Sequence, residues 1–81
     1  MNIIDLYISN LRKEDITNFA IKNDITLNKD ELDFIYNLIK NHYKELIQNK
    51  STFNLSTYKN NISEENYPKI EKLINKYLNY L

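Results

Sequence analysis

The 81-residue sequence contains no cysteine, no glycine and no tryptophan, and it has one proline, Pro68, and one histidine, His42. Without thiols there is neither a disulfide framework nor a thiolate metal site, and the chain carries no mark of its redox compartment. Without glycine there is no Walker-type or dinucleotide-binding loop, because both bring a backbone free of Cβ against phosphate. A single histidine leaves no conventional zinc set. Long apolar runs are missing as well. The opening MNIIDLYISNL is short and interrupted by Asp5 and Asn10, which argues against a signal peptide, and nothing approaches the ~20 apolar residues of a membrane span. The expected setting is the cytoplasm, with no membrane contact.

Charge of one sign is also lacking, since the formal net charge is zero. It is unevenly spread, however. Residues 1–35 carry seven acids against four bases, and residues 36–81 carry seven lysines against four acids. The halves are therefore −3 and +3. Proteins held on nucleic acid by electrostatics usually show a larger basic excess with arginine well represented, and here Arg12 is the sole arginine. Asn, Ile, Lys and Tyr are abundant instead. These are residues of AT-rich codons, so the bias points to a low-GC genome and weakens any functional reading of the Asn and Lys residues.

What the sequence does contain is helical period. In the stretch 28–50, Leu32, Ile35, Ile39, Tyr43, Leu46 and Ile47 recur at steps of three, four or one, which places them along one face of a helix. Phe34 and Leu38 extend that surface onto a neighbouring stripe, so the helix is expected to touch other elements on two sides. Asn28 with Glu31 three places on reads as a capping box, and Asp30 and Glu31 suit the positive end of the helix dipole. This long central helix is the element around which the rest is arranged.

Before it, Ile3, Ile4, Leu6, Tyr7, Ile8 and Leu11 form a short apolar segment, read as one or two helical turns packing on the core. A second helix is expected from Lys13 to Asn23, with Ile16, Phe19 and Ala20 inward and a poor cap at Arg12. Asp24 to Leu27 reads as a tight connector that sends Ile25 and Leu27 into the core. After the central helix, a short helix over Leu55 to Asn60 capped by Asn54 is expected. Pro68 then fixes a final helix from Tyr67 to Tyr80 with Asn66 as its cap. Its inner stripe is Ile70, Leu73, Ile74, Tyr77 and Leu81, and its outer one Lys69, Lys72 and Lys76. The fold class is all-α: one domain over residues 1–81, a compact bundle of four to five helices.

Candidate sites are few. Phe19 to Leu38 invites a helix-turn-helix reading, but Asp30 and Asp33 fall where apolar residues should be. Asp24, Thr26, Asn28 and Asp30 alternate like the start of a calcium loop, yet the glycine position is Lys29 and the closing acid position is Ile35. No metal or cofactor is expected. His42, between Leu38 and Leu46 at i±4, reads as a partly buried packing residue, and no catalytic residue emerges. The surplus is aromatic. Tyr43 and Tyr77 lie on inner stripes, whereas Tyr36 and Tyr80 are candidate contacts for a protein partner or for self-association. Tyrosines interleaved with lysines also suit nucleic acid, and Lys69, Lys72 and Lys76 are the candidate contacts for that alternative.

The pattern DITNFAIKNDITLNKDELDFIYNLIKNHYKELI, followed after a short variable piece by ISEENYPKIEKLINKYL, resembles a small all-helical family of low-GC bacteria, a domain of unknown function. The likeness spans nearly the whole chain and is most evident at NHYKEL and ENYPKIEKL. It implies a compact helical fold and a bacterial cytoplasmic setting, and brings no catalytic or binding residues with it. The sequence alone thus leads to a helical protein-interaction module without catalytic activity, with weak nucleic-acid binding as the alternative.

Overall fold

The fold is that of a computed structural model describing residues 3–48 and 54–80, with the side chain of Tyr80 outside that description. Four α-helices, α1 (Ile3–Ser9), α2 (Lys13–Lys22), α3 (Lys29–Gln48) and α4 (Tyr67–Tyr80), are joined by a 3₁₀ helix (Leu55–Asn61) between α3 and α4. The all-helical bundle expected from the periodicity is what the described residues form. Its radius of gyration, 12.0 Å, is close to the value of about 12 Å for a compact chain of this length.

Helix α3 is the centre of the packing, lying against α1, α2 and the 3₁₀ helix. It starts with the reciprocal bonds of a capping box. The Asn28 side-chain oxygen accepts from the Glu31 amide at 2.8 Å, and the Glu31 carboxylate accepts from the Asn28 amide at 3.0 Å. Ile35, Leu38, Ile39 and Leu46 are buried, with Leu32, Phe34, Tyr43 and Ile47 half-buried around them. The helix is not straight. His42 has φ −132° and ψ 15°, outside the helical region, so α3 kinks there. His42, read as a partly buried packing residue, has its side chain half exposed, 3.7 Å from Glu45, while Leu46 and Ile47 beyond the kink keep to the expected stripe.

Helix α2 is half capped. Arg12 has no acceptor to offer, as expected, but its amide donates to the Asp15 carboxylate at 2.9 Å. The other end of α2 is a Schellman turn. The Ile25 amide donates to the Ala20 carbonyl and the Asp24 amide to the Ile21 carbonyl, at 2.9 and 3.0 Å. Such a turn needs one residue with positive φ, usually glycine. Here Asp24 takes it, at φ 61°. Ile25 is thereby carried into the core, and Leu27 follows half-buried. Because a non-glycine residue is strained in this region, Asp24→Gly should raise the unfolding free energy by about 0.5–1 kcal/mol in urea titrations. A loss instead would mean that the carboxylate contributes more through its lysine neighbours than the backbone strain costs.

The 3₁₀ helix is capped as expected, with the Asn54 side chain accepting from the Ser56 amide at 3.0 Å, and it buries Leu55. Helix α4 buries Ile70, Leu73, Ile74, Tyr77 and also Leu78, while Leu81 lies outside the described residues. The Asn66 carbonyl accepts the first bond of α4, from Ile70. Its side chain does not serve as the expected N-terminal cap. The Asn66 amide nitrogen turns to Glu31, at 2.8 and 3.1 Å from the two carboxylate oxygens.

Candidate functional site

Seven residues are too few for a free-standing helix, and α1 is held by three side chains of α3 and α4. Lys40 on α3 donates to the Ile8 and Ser9 carbonyls at 2.8 and 3.1 Å, satisfying acceptors that the helix end leaves open. Tyr43 on α3 donates to the Asp5 carboxylate, which raises the tyrosine pKa. The Tyr77 hydroxyl on α4 meets that of Tyr7 at 3.1 Å. Ile8 is buried and Ile4 half-buried beneath these bonds. The opposite face is also apolar. Ile3, Leu6 and Tyr7 are 85%, 55% and 38% exposed, and they border a shallow groove completed by Asn10, Leu11 and Asp15. Composition alone suggested that this segment packs on the core. Only one side of it does.

Of the tyrosines singled out for partner contact, Tyr36 is half-buried beside the junction of α1 and α2. The Lys13 and Lys40 ammonium groups lie 5.6 and 5.8 Å from its ring centre, within cation–π range. Lys13 also pairs with Asp33 at 2.7 Å and lowers that carboxyl's pKa. Tyr80 closes α4, and its side chain lies outside the described residues. Tyr43, expected in the core, is half-buried with its hydroxyl spent on Asp5, whereas Tyr77 is buried against Phe19 in an edge-on contact at 5.3 Å.

The lysine row of α4 does not face open solvent alone. Lys69, Lys72 and Lys76, all exposed, line a cleft of about 270 Å³ with Asn23, Asp24, Ile25 and Leu73. Lys76 donates to the Asn23 side chain at 2.9 Å across this cleft. Lys69 and Lys72 have neither a hydrogen bond nor an ion pair with the described residues. The row was legible from its spacing. The cleft was not, because its other wall is the Schellman turn some fifty residues earlier.

The carboxylate of Glu31 is the one buried charged side chain among the described residues, 1% exposed. It accepts from the Ser63 hydroxyl at 3.0 Å and the Ser63 amide at 3.4 Å as well as from Asn28 and Asn66. All its partners belong to the fold, so this is a structural clasp between α3 and the entrance to α4. A broader polar groove lies between α3 and the 3₁₀ helix, lined by Asp30, Asn37, Asn41, His42 and Asn61 around the Phe34–Tyr58 ring pair. Among the described residues no group of three or more His, Cys, Asp or Glu side chains is placed to hold a metal ion, and no helix is long and apolar enough to cross a membrane.

Against known proteins, no family model, no curated protein and no solved structure matches the chain. The geometry of these surfaces is therefore the whole basis for a functional reading.

Proposed function

We propose that the protein is a non-catalytic cytoplasmic interaction module that receives an apolar helix of a partner protein on the outer face of α1. One observation carries the reading: Ile3, Leu6 and Tyr7 are exposed on a helix that Lys40, Tyr43 and Tyr77 hold in place from within. A fixed apolar face loses little conformational entropy on docking, which favours association. Tyr7 joins this face to the carboxyl-terminal helix through its bond to Tyr77, and Tyr36 is not among the residues that line the groove. Nucleic-acid binding by Lys69, Lys72 and Lys76 stands second.

A photo-crosslinking residue placed at Leu6, in the cells that make the protein, should give discrete adducts with one partner protein, while the same residue at exposed Lys44 should not. Adducts formed only between copies of the chain would replace the partner with a second copy. Equal labelling at both positions would overturn the α1 surface.

A further inference from the structure

Resting on the protein-interaction reading, we infer that the cleft between α4 and the α2–α3 turn is a second docking site, and that it takes an acidic protein segment carrying an apolar anchor. The argument starts from charge. Lys69, Lys72 and Lys76 follow the three-then-four spacing that puts them on one side of α4, and all three border the cleft while Asp24 is the one acid that does. Two cations in excess remain, and Lys69 and Lys72 make no ion pair with the described residues. On an exposed helix such lysines would normally spread into solvent. Here they stand around an apolar floor.

That floor is formed by Ile25 and Leu73, core residues whose edges reach the cleft, and by the aliphatic stems that lysines lay along apolar surface. The bond from Lys76 to Asn23 spans the two walls, and the buried Ile25 and Leu73 set the floor between them. An occupant must therefore supply negative charge at the rim and a modest apolar side chain at the centre. Carboxylates flanking a leucine or isoleucine do both. Phosphodiester chains fit less well, since no aromatic ring lines the cleft to stack a base and Arg12, the sole arginine, is not among its residues. Complementary charge at a rim acts chiefly on specificity and on the rate of encounter.

The test is an NMR titration of the full chain with three probes at low and physiological salt. They are a polyglutamate peptide with one central leucine, the same peptide with serine in place of leucine, and single-stranded oligothymidylate. The leucine peptide should shift the amides of Ile25, Leu73 and the neighbouring lysines, and the serine peptide should bind more weakly. The double variant Lys69→Glu with Lys72→Glu should weaken the leucine peptide by about tenfold or more. Both residues are exposed, so the fold is expected to survive, which circular dichroism checks. Oligothymidylate binding as well as the leucine peptide would overturn the inference in favour of a phosphate site. Absence of shifts at the cleft, or equal binding of the leucine and serine peptides, would also overturn it. Crosslinking at Leu6 reads a different surface, so failure here and failure of the α1 reading are separable.

Discussion

Replacing Glu31 with alanine is expected to cost the fold about 1–3 kcal/mol, because it leaves the donors that converge on a buried carboxylate without their acceptor. Those donors are the Asn28 amide, the Ser63 hydroxyl and amide, and the Asn66 side chain. A chain of this length has roughly 4–12 kcal/mol of stability in all, so the variant should lose a sizeable fraction of it, read as a lowered midpoint in urea titration followed by circular dichroism. A loss below about 1 kcal/mol would contradict both the burial and the bonding of Glu31.

The pH dependence of the same group has a definite sign. Burial by itself raises the Glu31 pKa, but the bonds from Asn28, Asn66 and Ser63 outweigh it and hold the carboxyl below its ordinary value of 4.5. A carboxyl that ionises more readily folded than unfolded contributes stability that is complete above the unfolded pKa and is lost as pH falls through the folded one. Urea midpoints of the native protein should therefore fall more steeply below about pH 5 than those of Glu31→Gln, which has no charge to lose. Parallel curves would show that the fold does not prefer the ionised form.

The second large effect is expected in the core of α3. Ile39→Ala and Ile35→Ala each remove a side chain that is almost wholly buried, and each should cost about 2–5 kcal/mol through lost transfer energy and the cavity left behind. Leu32 belongs to the same sequence stripe but is only half-buried. Leu32→Ala should therefore cost less than either isoleucine variant, and the order of the three in urea titrations checks which way α3 is rotated. Equal losses at all three positions would show that the stripe, not the observed burial, describes the packing.

Local signals were the legible part of this fold. Asn28 with Glu31, Asn54, and Pro68 near the start of α4 each mark a helix end through residues a few places apart, and the structure places helix ends close to them. What depended on distant partners was not legible. Glu31 looked like an ordinary acid of a first helical turn, since Ser63 and Asn66, which explain its burial, come more than thirty residues later. His42 is more open than its neighbours Leu38 and Leu46 suggested, because spacing along one helix does not say whether another element covers that side. The outward apolar face of α1 escaped notice for a related reason: a short segment with apolar groups all round does not say which of them the body will cover. Tyr36 and the three lysines were named from residue type and spacing, whereas the α1 groove and the cleft each needed a second element to exist.

The Schellman turn at Asp24 shows how a glycine-free chain meets the one demand for a left-handed residue that its described backbone makes. Glycine surrenders more conformational freedom on folding than any other residue, and this chain has none to surrender. The backbone freedom that must be given up for each residue ordered is correspondingly smaller, so a given area of buried isoleucine and leucine leaves a larger net margin. For a domain near the size at which a single core becomes marginal, with no cysteine to form a disulfide, a stiffer chain performs part of the task that covalent staples perform elsewhere.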